Sequence, residues 1–394
     1  MKTNRKQLFP KWPVFGNEEM AAVEAVLKSG KVNYWTGVEC RLFEKDFADY
    51  IGTNHAVALA NGTVALEAAL AALGIGREDE VVVTSRTFIA SASCVVMRGS
   101  IPVMADVDRD SQNITEKTIE AVITPKTKAV IAVHLAGWPC DMDPIISLSK
   151  RHNLWVVEDC AQAQGATYKG KKVGSLGDVA AFSFCQDKIM TTGGEGGMIV
   201  TNNKEIWENV WSFKDHGKSF NAVYNRNHSI GFRWLHESFG TNFRMTEMQA
   251  AIGRVQLKKI QDWLVARRRN AAILTGCFEN IPAVRVTIPP NEVGHAYYKY
   301  YTFIKPEALK SGWDRNRIMA AIEAQGIACQ SGSCSEIYLE KAFEYNGLRP
   351  TKRLPIAREL GETSLMFLVH PTLTEDDMEN TCAVVQKIFK RAIR

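Results

Sequence analysis

The order of apolar residues along the first half of the chain constrains its fold more than any other feature. A strand-like run at residues 55–60 leads into the turn Asn61-Gly62-Thr63 and then into a helical run at residues 64–73. The same order repeats, with strand-like runs at residues 80–84, 102–105, 129–133 and 154–157 and helical runs at residues 89–98, 119–123 and 143–151. Short apolar strands that alternate with helices are typical of a mainly parallel sheet covered by helices. The sequence therefore predicts an α/β fold, in which ligands bind beyond the carboxyl ends of the strands.

A change of pattern after about residue 210 indicates a second domain. Residues 206–243 are rich in aromatic and basic side chains with weak periodicity, as in a long surface segment. Helical periodicity returns at residues 244–274, and the remainder mixes short strands with helices. We predict a large α/β domain over residues 1–255 and a smaller C-terminal α+β domain over residues 256–394.

The composition excludes several classes of protein. With 46% hydrophobic and 23% charged residues among 394, the chain is typical of soluble globular proteins. Its net charge of +5, without a block of consecutive basic residues, does not indicate nucleic-acid binding. The N-terminal residues lack the apolar stretch of a signal peptide, and no run of 18 apolar residues occurs. We therefore expect a cytoplasmic protein with no membrane partner.

The cysteines give no indication of a metal site. The 9 cysteines are scattered and lack the paired CxxC spacing that a zinc site requires. We expect reduced, mostly buried thiols and no bound metal.

A carboxylate stands where a buried strand ends. The apolar run at residues 154–157 leads directly into Glu158 and Asp159. A carboxylate there is costly unless it has a cationic partner or a ligand, although it can also cap a following helix. Both interpretations of Asp159 stay open on this segment alone.

A lysine follows another apolar strand. Residues 179–184 lead through Cys185-Gln186-Asp187 to Lys188, and a glycine-rich segment follows at residues 193–197. A lysine that loses hydration among apolar residues is a nucleophile for carbonyl compounds, so Lys188 is our candidate Schiff-base residue. The alternative is a solvated loop lysine. A P-loop is excluded because the glycines follow the lysine.

Two further strand ends carry side chains of interest. The Asn61-Gly62-Thr63 turn lies at a predicted helix N-terminus, where backbone N–H groups bind anions and Gly62 permits close approach. Phe88 lies just past the strand at residues 80–84, either as a core residue or as a flat surface for a ligand. An anion site, an aromatic face, a strand-end carboxylate and a lysine together match the requirements of pyridoxal phosphate.

With these residues in place, the chain resembles the DegT/DnrJ/EryC1/StrS family of sugar aminotransferases, which have the pyridoxal-phosphate-dependent transferase fold type I. The resemblance extends through nearly the whole chain, and its segments include NGTVALEAALAALGIG, VEDCAQAQGATYKGKKVGSLGD, FSFCQDKIMTTGGEGGMIVTN and GTNFRMTEMQAAIGRVQL. It implies a large domain with a mainly parallel sheet covered by helices and a smaller C-terminal α+β domain.

The resemblance also implies roles for individual residues. Lys188 would form the Schiff base, and Asp159 would pair with the ring nitrogen of the cofactor. The other implied cofactor contacts are Gln162 at the ring hydroxyl, Phe88 on the ring face, Gly62, Thr63 and Ser183 at the phosphate, and Asn242 at the phosphate of a partner subunit. Asn242 thus implies a homodimer with shared active sites.

The implied reaction is amino transfer from L-glutamate or L-glutamine to a nucleotide-linked ketosugar, in bacterial surface-polysaccharide, lipopolysaccharide O-antigen or deoxyaminosugar biosynthesis. Thr36, Gly37, His216 and Arg233 are implied substrate contacts, and Lys214, Lys218, Arg226 and Arg233 would suit the diphosphate of the sugar. Lysine at position 188 favours transamination, because dehydrating relatives carry histidine there. The alternatives are a dehydratase-type relative and a non-catalytic regulator or binding protein of the same fold.

Several residues depart from the family pattern. Arg86 stands where proline is usual, Gln164 where histidine is usual, and one glycine is added at residues 193–194. The segment from Cys329 to Cys334 replaces the expected tyrosine-proline-histidine type of segment beside the sugar pocket. These departures indicate an unusual substrate.

Overall fold

A computed structural model describes residues 9–394, and its largest element is a seven-stranded sheet. The strands are β1 (His55–Leu59), β2 (Glu80–Thr84), β3 (Ile101–Ala105), β4 (Thr127–Val133), β5 (Trp155–Asp159), β6 (Thr167–Tyr168), β7 (Lys171–Lys172), β8 (Val179–Ser183), β9 (Gly197–Thr201), β10 (Val284–Val286), β11 (Val293–Gly294), β12 (Tyr300–Ile304), β13 (Cys329–Gln330) and β14 (Ser364–Phe367). The helices are α1 (Asn17–Ser29), α2 (Glu39–Ile51), α3 (Gly62–Ala72), α4 (Ala90–Met97), α5 (Glu116–Glu120), α6 (Met142–Arg151), α7 (Lys204–Lys214), α8 (Phe220–Tyr224), α9 (Glu247–Phe278), α10 (Arg315–Glu323), α11 (Lys341–Tyr345), α12 (Pro355–Thr363) and α13 (Glu375–Ala392).

The seven-stranded sheet confirms the predicted parallel architecture, with one exception. Its order is β1-β9-β8-β5-β4-β2-β3. β9 pairs antiparallel with both of its neighbours, β1 and β8. The other four pairs, β8 with β5, β5 with β4, β4 with β2 and β2 with β3, are parallel. β9 is a strand that the sequence pattern does not predict. The sheet is apolar on both faces, because α3, α4 and α7 pack on one side and α2 with α9 on the other.

Some element boundaries differ from the sequence-based expectation for identifiable reasons. α9 is one helix of 32 residues that begins at Glu247, where the Thr246 side chain accepts from the Gln249 N–H as an N-cap. β5 extends to Asp159, so the carboxylate is the last residue of its strand rather than following it.

The C-terminal residues form a second, four-stranded sheet of order β10-β12-β14-β13, which packs against α10 and α13 around a separate apolar core. A small third sheet joins β11 with β6 and β7. α9 runs without interruption through residue 255, at which the sequence analysis divides the chain, and that division stays a prediction.

Two further expectations concern the whole chain. All 9 cysteines are free thiols, of which Cys334 alone is exposed. Within residues 9–394, no helix has both the length and the apolar character needed to cross a lipid bilayer.

Candidate active site

A cavity of about 730 Å³ opens at the carboxyl ends of β1, β2, β5 and β8. This is the edge at which open α/β sheets bind ligands. Seven residues selected from the sequence line it: Gly62, Thr63, Phe88, Asp159, Gln162, Ser183 and Lys188. They come from distant parts of the chain and meet because their strands end side by side.

The N-terminus of α3 forms one end of the cavity. Asn61 caps the helix by accepting a hydrogen bond of 3.0 Å from the Val64 N–H, which leaves the preceding N–H groups directed at the cavity. Gly62 lies against Ser183, and a Cβ at residue 62 would come within 2.6 Å of the Ser183 Cβ. Glycine is therefore required for the two segments to approach this closely. Backbone N–H groups beside the Thr63 and Ser183 hydroxyls form a site for a phosphate.

Asp159 lines the same cavity, and both of its side-chain oxygens accept hydrogen bonds. Oδ2 accepts from the Ser91 hydroxyl at 2.8 Å, and Oδ1 accepts from the Ala161 N–H at 3.1 Å. No helix begins after β5, so the helix-cap interpretation of Asp159 is wrong and the carboxylate caps only a turn. Burial raises the pKa of Asp159, while these hydrogen bonds and the charge of Lys188 lower it. A cationic ligand atom would stabilise the ionised form.

The residues around Asp159 fix its backbone. The His134 N–H donates to the Asp159 carbonyl, and the His134 ring lies 3.0 Å from the Glu158 carboxylate. Glu158 also accepts from three backbone N–H groups, those of Gly174, Leu176 and Gly177. His134, Glu158 and Cys160 lie close enough together to suggest a metal site. The four donors already on Glu158 instead indicate a hydrogen-bonded structural cluster, which the sequence analysis did not identify.

Phe88 offers an exposed ring face and Gln162 a free amide nitrogen to a flat ligand in the cavity. Phe88 has 67% of its surface exposed, so the interpretation of Phe88 as a core residue is wrong. The Gln162 side-chain oxygen accepts from the Ala136 N–H at 2.8 Å. Its amide nitrogen is therefore the group that can donate to a ligand.

Lys188 carries the candidate nucleophile. Its carbonyl accepts from the Trp12 indole N–H at 2.9 Å, and its Nζ lies 5.0 Å from the centre of the Tyr298 ring. The residues that follow, Ile189 and Met190, are fully buried. The backbone is thus fixed while the amine faces the cavity.

The C-terminal sheet supplies a wall that the sequence analysis did not predict. Tyr298, Lys299, Tyr301, Gln330 and Ser333 line the cavity. They lie more than 100 residues from Lys188 along the chain. Their position next to apolar strands is the one signal in the sequence that could have identified them as site residues.

Gly332 and Arg86 belong to the segments that depart from the family pattern. A Cβ at Gly332 would overlap the Tyr301 ring, and the Ser333 N–H donates to the Tyr301 hydroxyl at 2.8 Å. The Arg86 guanidinium lies behind this wall, fully buried, 5.4 Å from the same ring.

Five predicted residues lie outside this cavity within one chain. Thr36 hydrogen-bonds with Asn33, and Gly37 is packed against Glu247. The other three, His216, Arg233 and Asn242, are exposed. Their roles stay predictions.

The diphosphate assignment of Lys214 is wrong. Lys214 is fully buried, with its Nζ 3.3 Å from the centre of the Tyr34 ring, because α7 packs this face inward. Burial lowers the pKa of Lys214 to about 8. Lys218 pairs with Asp215 and Arg226 with Glu237, so Arg233 is the exposed residue of this basic set without an ion pair in the described chain.

The residues present fit pyridoxal 5'-phosphate. The close approach of Gly62 to Ser183 leaves a cradle for the phosphate at α3. Asp159, the free amide of Gln162 and the exposed face of Phe88 match the ring nitrogen, the ring hydroxyl and the ring face. Lys188 opens into the same cavity. Each polar group of the cofactor therefore has a partner of suitable chemistry.

Comparison with known proteins agrees with this geometry. The model of the DegT/DnrJ/EryC1/StrS aminotransferase family matches residues 13–386. The chain is 41% identical to a GDP-perosamine synthase of Caulobacter vibrioides over 351 residues, which cover 88% of this chain and 89% of that protein. It is 34% identical to a GDP-perosamine synthase of Escherichia coli O157:H7, covering 92% of each. An aminotransferase structure from Psychrobacter cryohalolentis superposes with a TM-score of 0.95 at 54% identity, covering 97% of this chain and 99% of that one.

Proposed function

Because the chain belongs to the DegT/DnrJ/EryC1/StrS aminotransferase family, we propose that it transfers an amino group from L-glutamate or L-glutamine to a nucleotide-linked ketosugar. The protein is a sugar aminotransferase that uses pyridoxal 5'-phosphate. The observation that carries the proposal is the single cavity in which Lys188 and Asp159 meet the α3 N-terminus.

Different residues of the cavity would bind different parts of the cofactor. When bound, pyridoxal phosphate supplies an electrophilic carbon for amines and a ring that withdraws electrons from the carbon beside the nitrogen. Asp159 holds a proton on the ring nitrogen, and the Ser91 hydroxyl stabilises the charge of Asp159. The α3 N-terminus, Thr63 and Ser183 hold the phosphate. Phe88 restricts the ring to one plane.

Lys188 has two tasks in this proposal. Its amine would hold the cofactor covalently and would be freed when a donor amine takes its place. The freed Lys188 amine would take the proton from the donor carbon in the first half of the reaction and would deliver a proton to the sugar carbon in the second half. Its backbone is held by Trp12, so the amine alone has to move.

Transamination is a better match to this site than dehydration. A lysine at residue 188 would both hold the cofactor and transfer the proton, which are the two tasks that amino transfer requires. A purely regulatory member of the fold would have no need for a buried Asp159 held by two donors.

The acceptor in this proposal is a nucleotide-diphosphate-linked ketosugar. The chain's likeness to two GDP-perosamine synthases supports that class. The exposed side chains of His216, Arg233 and Asn242 support a second subunit that completes the site, and hence a homodimer. We place the reaction in surface-polysaccharide biosynthesis in the cytoplasm.

The proposal is tested in two steps with the cofactor-loaded protein. L-Glutamate or L-glutamine is added without a sugar, and we expect the visible absorption of the bound cofactor to decrease while one equivalent of 2-oxo acid per site is released. Addition of nucleotide-linked 4-ketosugars and 3-ketosugars to that protein is then expected to restore the absorption and yield an aminosugar. Absorption that no ketosugar restores after full bleaching would contradict the sugar assignment. A Lys188→Ala variant serves as the control.

A further inference from the structure

A second lysine, Lys299, lies beside the nucleophile and is not used in the reaction proposed above. It precedes β12 and lines the cavity of Lys188 as well as an adjoining pocket of about 260 Å³. Lys11, Trp12 and His370 form part of that pocket. The Lys299 side chain is only 18% exposed, so its ammonium has limited contact with water. Lys299 thus lies at the junction of two spaces that a substrate could fill.

The charge around Lys299 is not balanced. Its one ion pair within residues 9–394 is with Asp187, at a long distance of 3.5 Å. Asp187 already accepts a short hydrogen bond of 2.5 Å from the Tyr298 hydroxyl. Arg267 lies beneath Tyr298, fully buried, and neither its Nε nor its Nη2 has a partner in the described part of the chain.

The other carboxylates of the cavity do not neutralise this cluster. Asp159 and Glu195 line the cavity but form no ion pair with Lys299 within the described residues. Lys299 and Arg267 therefore outnumber Asp187, the one carboxylate within ion-pair distance of Lys299 among the described residues. Partly buried cations in excess of the neighbouring carboxylates attract an anion from solution, and a substrate carboxylate is an anion of suitable size.

The separation of the two lysines indicates which carboxylate this is. Their Nζ atoms lie 5.0 Å and 4.7 Å from the centre of the same Tyr298 ring, which places them less than about 10 Å apart. The donor nitrogen takes the place of the Lys188 nitrogen. In extended glutamate, four bonds or about 5 Å separate the amino nitrogen from the side-chain carboxyl carbon. The carboxylate C–O bond and a charge-assisted hydrogen bond add about 4 Å, so extended glutamate spans about 9 Å, close to the upper limit for the separation of the two amines.

We propose that Lys299 binds the side-chain carboxylate of the amino donor and thereby selects L-glutamate over L-glutamine. This assignment rests on the proposed function. The side chain of the donor extends toward the adjoining pocket, and its carboxylate replaces Asp187 as the nearer partner of Lys299. The amide of glutamine carries no charge and does not gain this ion pair.

The test compares donors in the first half of the reaction. The rate of cofactor bleaching is measured against concentration for L-glutamate, L-glutamine and L-norvaline, whose side chain has no carboxylate. In Lys299→Gln we expect the apparent second-order rate constant for glutamate to fall about 10- to 100-fold. The constants for glutamine and norvaline are expected to change less than about 3-fold. Lys299→Arg should retain most of the preference for glutamate.

Lys305→Gln is the matched control, because Lys305 follows the other end of β12 and does not line either space. A binding measurement without turnover accompanies the kinetics. Glutarate, a dicarboxylate that has no amine to transfer, is titrated into the cofactor-loaded protein by calorimetry. We expect Lys299→Gln to weaken glutarate binding about 10-fold and Asp187→Asn to strengthen it, because Asp187 competes for the same ammonium.

Equal losses for all three donors in Lys299→Gln would overturn the assignment, since they would indicate a contact with the common α-carboxylate or a structural role. An unchanged glutamate preference, or glutarate binding that Asp187→Asn does not strengthen, would overturn it as well. If no donor bleaches the wild-type protein, the proposed function fails and the assignment falls with it. If wild-type bleaching is normal but the preference does not depend on Lys299, only the assignment fails.

Discussion

A single hydrogen bond from a residue that takes no part in the reaction can keep a carboxylate of the site ionised. Ser91 is one such residue, since its hydroxyl donates to Asp159 at 2.8 Å and lowers a pKa that burial raises. In Ser91→Ala the carboxylate loses this donor and is less readily ionised. We expect the dissociation constant of pyridoxal phosphate to rise about 5- to 10-fold, measured by equilibrium dialysis.

The control for this prediction is Ser93→Ala, two residues further along α4, where the hydroxyl has no bond to Asp159. Its cofactor affinity should equal that of the wild type. Equal affinities of the Ser91 and Ser93 variants would show that the hydrogen bond does not support Asp159.

A second residue-scale prediction concerns stability in acid. His370 is buried against Trp12, and burial with the charges of Arg267 and Lys299 lowers its pKa to about 4. The unfolded chain binds a proton at His370 below about pH 6.5, whereas the folded chain does not until about pH 4. Stability conferred by the neutral ring is therefore present above pH 6.5 and is lost as the pH falls toward 4.

The free energy of unfolding should accordingly fall less between pH 7.5 and pH 5 in His370→Gln than in the wild type, by about 1–2 kcal/mol. Urea unfolding at the two pH values measures this difference. If the free energy of unfolding falls equally in both proteins, His370 does not cause the acid sensitivity. The buried His295 would then be the next residue to test.

Among the elements, α9 joins the parts of the molecule that form the cavity, and two of its glycines differ in their surroundings. A Cβ at Gly253 would lie 2.6 Å from the Phe43 ring of α2, whereas a Cβ at Gly276 meets nothing within 4 Å. Gly253→Ala should therefore destabilise the fold by about 1–3 kcal/mol through overpacking. Gly276→Ala should stabilise it by about 0.5–1 kcal/mol through helix propensity.

Thermal unfolding of the two alanine variants checks this opposition, since the substitution and the helix are the same in both. Equal shifts of the unfolding temperature in one direction would contradict the described contact between α2 and α9.

The strands and helices that carry the site were predictable because their apolar periodicity is local. Asp159, Lys188 and Gly62 each lie where a short apolar run ends, and the sequence shows those ends directly. β9 was missed because the glycine-rich segment before it hides its start, and its antiparallel direction depends on neighbours far away in the chain. Lys299 and Tyr301 were missed as site residues for a similar reason, since their approach to Lys188 arises only when the two sheets pack together.

For the whole molecule, the central expectation is that one chain does not complete an active site. Asn242 is exposed and lies outside the cavity of its own chain. If Asn242 contributes to the site of a second subunit, each active site takes Lys188 from one chain and Asn242 from the other. The Lys188→Ala and Asn242→Ala variants are then each inactive alone, but each supplies the residue that the other lacks. Mixing and refolding the two variants should restore up to about one quarter of the wild-type activity, through hybrid dimers with one intact site.

Recovery of activity is measured against each variant refolded alone. No recovery, together with hybrid dimers detected by native mass spectrometry, would show that Asn242 acts within its own chain.

The proposed reaction depends on Lys188 as the residue that binds pyridoxal phosphate, and one measurement tests this directly. The yellow cofactor-loaded protein is reduced with borohydride, digested and mapped by mass spectrometry. We predict that the reduced cofactor is found on the peptide containing Lys188 and that Lys188→Ala gives no labelled peptide. Label on Lys299 or on another lysine, or a protein that takes up no cofactor, would contradict the account.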